Sequence, residues 1–231
     1  MKRTDRSIIE KMSDDKDAPP TMLRERAYQE IKHLLFASPT LSEPFLSQRK
    51  LARQLGIGNT PVRSAIERLE NEGLILISPQ QGIAVCELRT REIIEHYEIR
   101  QALEPYVIRR IAGHLTVDQE QRIRQNLAQQ KAFTAGNDIF QTLVLDTEFH
   151  LLFCQFLENQ EIYRTMLQLR DKIHRVILRM AQVSPERSAV SCQEHVDLAE
   201  AVFQGEADRA AGLMYAHLEH GKQKLLPGGH W

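Results

Sequence analysis

Apolar residues recur every three or four positions along most of the chain, the spacing of one helical face, and give way to strand-like runs in one short region. Leu23 to Phe36 carries Ala27, Ile31, Leu34 and Leu35 on one side and predicts a first helix. Leu51, Ala52 and Leu55 make a second stripe and Val62, Ile66 and Leu69 a third, with Gly56 allowing a sharp turn between them. Thr60 is expected to cap this third helix, with Pro61 at its first position, where a missing N–H is harmless. Asn71-Glu-Gly73 should end it. Leu74–Ile77 and Ile83–Val85 then read as two strands joined by a turn at Pro79-Gln-Gln-Gly82. Beyond Cys86 the pattern is helical only: Glu92–His114, Val117–Ala135, Asp138–Leu157, Gln160–Met180, Ala189–Gln204 and Ala207–Leu225. Pro105 lies inside the first of these and should kink or break it.

Charge changes the picture locally. Between Arg49 and Arg68 five basic residues (Arg49, Lys50, Arg53, Arg63, Arg68) face one acid, Glu67, although the whole chain has a net charge of −1. Two short helices around a glycine turn with such a field suit a helix-turn-helix; an ordinary helical hairpin with solvated charges would share the spacing. The following pair of strands supplies a wing. Here the sequence resembles the GntR family of bacterial transcription regulators. Arg49-Lys-Leu-Ala, Leu55-Gly, Thr60-Pro-Val-Arg63, Leu69, Glu72-Gly-Leu74 and Gly82 fall where that family's winged-helix signature places them. The loop Ser38–Pro44 departs from the family's usual turn, and Asn59 stands where the family often carries arginine. The resemblance implies DNA contacts from Arg49, Lys50, Arg53, Asn59, Thr60, Arg63 and Gly82. Arg63 would reach a guanine edge, and Lys50 and Arg53 would meet phosphate.

The winged helix uses about a third of 231 residues, so a second domain is expected. The division is a polar tail over 1–20, a winged helix-turn-helix over 21–88 and an all-α bundle over 89–231. The fold class is mainly α, with three helices and a two-stranded wing before the bundle. No apolar run could span a bilayer, and Met1-Lys-Arg-Thr-Asp-Arg leads into no signal-peptide core, so a cytoplasmic protein is expected. Cys86, Cys154 and Cys192 are too few and too scattered for a disulfide framework or a zinc knuckle.

Within the bundle, polar residues occupy apolar stripes. Asp146 and His150 share a face with Leu143, Phe153 and Leu157; His195 lies with Leu198, Ala199 and Val202, and His217 with Ala210, Leu213 and Met214. Each histidine could be a satisfied core residue, or the set could hold a metal ion. His174 and His220 lie off these faces and read as surface or packing residues. Arg100 falls on a stripe with Tyr97, Glu104, Val107 and Ile111, and an ion pair to Glu104 one turn away would account for it.

This half of the chain resembles the FCD effector-binding domain of the FadR-type branch of the family. The resemblance rests on Tyr97-Glu-Ile-Arg100, Leu103-Glu104, Asp146-x-x-x-His150, Glu194-His195 and His217-Leu218. It implies a divalent metal (zinc, nickel or manganese) on Asp146, His150, His195 and His217, and a small carboxylate effector near it, held by Arg100 with Tyr97 alongside. The expected function is a ligand-responsive regulator, a repressor, that binds double-stranded operator DNA as a homodimer and has no catalytic residues. A metal-dependent hydrolase using the Asp/His centre is the alternative.

Overall fold

A computed structural model describes residues 20–37, 46–78, 82–86, 89–136, 138–183 and 186–226. The chain divides into two compact units, Met1–Cys86 and Glu87–Trp231.

The first unit holds α1 (Pro20–Ala37), α2 (Gln48–Leu55) and α3 (Asn59–Asn71), followed by β1 (Ile75–Ser78) and β2 (Gly82–Val85). Ser47 caps α2, its hydroxyl accepting from the Lys50 N–H at 3.2 Å. Gly56 ends that helix at φ +63, a left-handed turn that a β-carbon would strain. The start of α3 differs from expectation. Its cap is Gly58, without a side-chain bond, so Asn59 is the first helical residue and Thr60 lies inside. Pro61 therefore sits third, still among the N–H groups that a helix leaves unpaired, which is why it is tolerated there. The strands pair antiparallel, Ile75 opposite Val85 and Ser78 opposite Gly82, and Leu46 bridges Ile83 as a third edge. Ala27, Tyr28, Ile31, Leu51, Val62, Ile66, Leu69, Leu74 and Ile75 form a closed core.

The second unit contains α4 (Thr90–Ile111), α5 (Val117–Ala135), α6 (Ile139–Phe156), α7 (Gln160–Val183), α8 (Arg187–Phe203) and α9 (Ala207–Leu225). Among the described residues it is wholly helical. Thr116 and Gln119 exchange hydrogen bonds in a capping box that starts α5, and Asp138 caps α6. Of the kink or break expected at Pro105, the break does not occur: helix α4 runs through it. The missing N–H removes one bond, and the burial of Glu104, Val107 and Ile108 around it holds the helix together. Gly113 and Gly205 end α4 and α8 side by side. A β-carbon on Gly113 would lie 3.1 Å from the Gly205 Cα, and both have positive φ, so a side chain at either position would be strained.

The polar tail of residues 1–19 and the segments 38–45 and 79–81 lie outside the described residues, as does the side chain of His174; Pro20, assigned to the tail, opens α1.

Candidate functional site

In the first unit, Arg49, Arg53, Asn59, Thr60 and Arg63 are exposed, and Lys50 and Gly82 are half-buried. Asn59, Thr60 and Arg63 line one shallow surface groove with Gln48 and Arg24. Arg24 on α1 adds a cation that the sequence did not single out. The Arg63 Nε donates to Glu67 at 2.8 Å, with both side chains more than half exposed, so the pair holds the arginine loosely. Arg68 has a different task. Its guanidinium stacks 3.7 Å from the centre of the Tyr28 ring and bonds to Glu72 and Glu25, tying α3 to α1. Arg68 therefore adds to the local positive charge, while its side chain is occupied in holding two helices together.

The bundle interior gathers His150, His195 and His217 from α6, α8 and α9, with one ligating atom of each within 4.8 Å of the others. All three imidazoles are buried. The Nε2 atoms of His195 and His217 lie 3.3 Å apart. Asp146 brings Oδ1 to 3.7 Å from the His195 Nε2 and Oδ2 to 4.0 Å from the His150 Nε2. These four side chains therefore converge on one small volume.

The opposite ring nitrogens decide what that volume can hold. The His150 Nδ1 lies 2.5 Å from Glu104 Oε2, the His195 Nδ1 2.9 Å from Gln130 Oε1, and the His217 Nδ1 2.7 Å from Glu194 Oε2. A carboxylate or amide oxygen can only accept, so each Nδ1 carries the proton and each Nε2 presents a lone pair inward. The Gln130 amide is oriented by its NH₂, which donates to Asn126 Oδ1 at 2.7 Å. Three inward lone pairs and a carboxylate, with the His150 Nε2 lacking any hydrogen-bond partner, are mutually repulsive without a cation. Burial holds the pKa of His195 well below normal, with the neighbouring His217 and His150 adding to it, and burial likewise lowers that of His217. Both stay neutral, the form that ligates. Metal–nitrogen bonds of about 2.0–2.1 Å place tetrahedral ligands about 3.3 Å apart, the separation of the His195 and His217 Nε2 atoms; His150 and Asp146 stand a little wider. The donor set fits a divalent metal.

Two arginines adjoin these histidines. Arg100 Nε pairs with Glu104 Oε1 at 2.5 Å, so the expected ion pair is formed, yet the other oxygen of Glu104 is the one that orients His150. Glu104 stays ionised, held well below the usual carboxylate range: burial alone would raise it, and Arg100 and His150 outweigh that. On the other side Arg187 Nη2 pairs with Glu194 at 2.5 Å, and Glu194 orients His217. The exposed His220 meets the second oxygen of Glu194 at 3.0 Å. Both arginines border a cavity next to Asp146 and His217, with Tyr97 and Thr142 in its wall. Tyr97 is buried, and burial pushes its hydroxyl up to about 12. Its ring needs Gly221 on α9, where a β-carbon would come within 2.6 Å of the phenol oxygen.

Sequence reasoning assigned no role to Arg187, Glu194 or Gln130. A signal was present: Arg187, Ser191, His195, Leu198 and Val202 recur on one face, as do Ile123, Asn126 and Gln130.

Comparison with known proteins agrees with this architecture. The FCD domain description matches residues 95–220, and that of the bacterial regulatory proteins, gntR family, matches residues 23–85. This chain belongs to the GntR family, with an FCD domain. The regulator is 30% identical over 192 residues to the HTH-type transcriptional repressor RspR of Escherichia coli (strain K12), covering 83% of this chain and 82% of that protein. It is 23% identical over 215 residues to the HTH-type transcriptional regulator YdhC of Bacillus subtilis (strain 168), covering 93% and 96%. A solved structure of a transcriptional regulator GntR from Rhodococcus sp. RHA1 superposes with a TM-score of 0.74 at 17% identity, over 90% of this chain and 99% of that one, and shows the shared fold. The GntR chain is thus a transcriptional regulator that binds DNA through its helix-turn-helix, and not an enzyme; the hydrolase alternative is set aside. No helix among its described residues is long and apolar enough to cross a membrane.

Proposed function

We propose that this regulator is a metal-containing, acid-responsive repressor: residues 21–88 bind operator DNA, and residues 89–231 bind one divalent ion and a small carboxylate and pair two chains. One observation carries the reading. Three imidazoles are each fixed at Nδ1 by an acceptor and turned inward at Nε2, beside a cavity that contains a buried arginine. Acceptors bonded to the outer ring nitrogen set the tautomer and orientation of metal-binding histidines. Asp146, His150, His195 and His217 would hold zinc, nickel or manganese, and the metal would act as a Lewis acid toward an oxygen of the effector. Arg100 would take the effector's carboxylate through its planar fork, with Tyr97 packed alongside.

At the DNA, Arg63 and Asn59 would read base edges from α3, Thr60 and the Gly82 backbone would approach the DNA, and Arg49, Lys50 and Arg53 would contact its backbone. Dimerisation follows from the need to address two half-sites. The exposed Ile99 and Tyr106 on α4 and Tyr215 on α9 offer apolar surface for it. Repression is supported by the name of the E. coli relative, and a regulator that binds operator DNA would work in the cytoplasm.

The test is metal analysis of protein purified without chelator, followed by operator binding with and without 2-hydroxy acids. About one ion per chain and acid-dependent release from operator DNA are expected. Absence of metal, with no uptake of zinc, nickel or manganese, would overturn the proposal.

A further inference from the structure

Arg187 opens α8 at the cavity wall facing the histidines, and its side chain is only 7% exposed. Its Nη2 is fully engaged, donating to Glu194 Oε2 at 2.5 Å and to the His217 carbonyl at 3.3 Å. Its Nη1 is buried without a hydrogen-bond partner, and so is the Nη2 of Arg100, whose side chain is 3% exposed. A buried cationic N–H without an acceptor is too unfavourable to leave unsatisfied, and both groups border the same cavity. Two guanidinium groups, one from α4 and one from α8, thus leave donors for one missing acceptor.

The charge around the cavity limits that acceptor. By formal side-chain charge, Arg100 and Arg187 stand against Glu104, Glu194 and Asp146, leaving one excess negative charge. A divalent ion on the histidines turns this into one excess positive charge. A single carboxylate neutralises the site; a second would leave an unbalanced anion in a largely buried space. Thr142, Ser188 and Ser191 complete the wall with groups suited to uncharged hydroxyls.

We propose that Arg187 is a second effector-binding arginine, and that it and Arg100 clamp the one carboxylate of a monoanionic hydroxy acid. The inference rests on the carboxylate reading above and adds to it a residue and a charge. It also explains the parallel wiring. Arg100 reaches His150 through Glu104, and Arg187 reaches His217 through Glu194, so an anion held by both arginines steadies two metal-facing imidazoles. Anion and metal should therefore raise each other's affinity, by equal factors.

The experiment is calorimetric titration of zinc-loaded full-length protein with glycolate, lactate, glycerate and gluconate, with the diacids tartronate, tartrate and galactarate, and with glycolamide. Wild type should bind at least one monoacid, should bind the diacids about tenfold more weakly, and should not bind the amide. Arg187→Gln and Arg187→Lys should each weaken the monoacid about tenfold or more while retaining zinc, checked by elemental analysis of the same samples. Because Arg187 also steadies Glu194, Glu194→Gln is run beside them. It should weaken zinc more than it weakens the acid, the reverse of Arg187→Lys. Zinc affinity of wild type, measured by chelator competition, should rise in the presence of the acid. If Arg187→Gln and Arg187→Lys keep zinc and bind the monoacid like wild type while Arg100→Gln does not, the second arginine is refuted and the carboxylate site stands. Tighter binding of diacids refutes the single-carboxylate assignment. Binding of no acid by wild type overturns this inference and the carboxylate reading together.

Discussion

The two units of this chain keep their functional residues in opposite conditions. On the winged helix, Arg49, Arg53, Asn59, Thr60 and Arg63 project from a core to which they contribute little, and water already solvates them. In the bundle, Arg100, Glu104, His150, His195 and His217 are buried; Glu104 joins Arg100 to His150, and each imidazole is held at Nδ1 by an acceptor. Solvated side chains can be exchanged with little effect on folding, whereas each member of a buried polar network leaves a stranded partner when removed. Substitutions should therefore separate function from stability in the first unit and couple them in the second.

The sharpest break in that contrast is loss of the ion. His195→Ala combined with His217→Ala should abolish metal binding, and chelation of wild type should act alike. At free metal about a thousandfold above its dissociation constant, stabilisation of about 4 kcal/mol would vanish. Calorimetric melting should show the bundle transition falling while that of the winged helix stays. Movement of both transitions together would show that the units do not respond separately.

Glu104→Ala should come next, at about 3–5 kcal/mol in urea unfolding, because it strands the buried Arg100 and frees the His150 ring. Glu194 supplies a pH signature. Its folded pKa is lowered to about 2 from an ordinary 4.5: burial opposes the shift, and hydrogen bonds from His217 and Arg187 outweigh it. A depressed carboxyl stabilises the fold above its unfolded pKa, and that stability is lost as pH falls from about 4.5 toward 2. Glu194→Gln should flatten this part of the stability profile, measured by urea unfolding between pH 5 and pH 3. An unchanged slope would mean that the Arg187–Glu194–His217 link is not formed in solution.

Arg63→Ala should lose about 1–3 kcal/mol of discrimination at one base pair, with stability unchanged within about 0.5 kcal/mol. Arg53→Ala should weaken all DNA alike and reduce the salt dependence by about one phosphate contact. Fluorescence anisotropy with operator and scrambled duplexes reads both. The smallest effect is expected at Arg68, which belongs to the fold. Arg68→Ala should lower stability by about 0.5–1 kcal/mol through its ion pairs and ring stacking, and leave base discrimination intact. A change in operator preference would move Arg68 to the DNA face.

Much of this architecture is legible without coordinates, because helices and turns are local. The stripes from Val117 to Leu225 and the Gly56 and Gly73 turns record 3.6-residue periodicity and positive φ, which each segment expresses by itself. The start of α3 was missed by two residues because several residues near a helix start can serve as its cap, and the backbone selected Gly58. Periodicity also turns Asp146, His150, His195, His217 and Arg100 inward, one helix at a time. It cannot say which inward residues meet. That Glu104 joins Arg100 to His150, that Glu194 joins Arg187 to His217, and that Gln130 on α5 orients His195 on α8 depends on how helices far apart in sequence pack. Direction at the surface is a tertiary matter too, since Arg63 and Arg68 belong to the same helix and the same charge count, yet one faces solvent and the other stacks on Tyr28. Local sequence determines which face of a helix is polar; only packing decides which partner that face receives, because the chemistry of a buried charge lies in the groups brought against it.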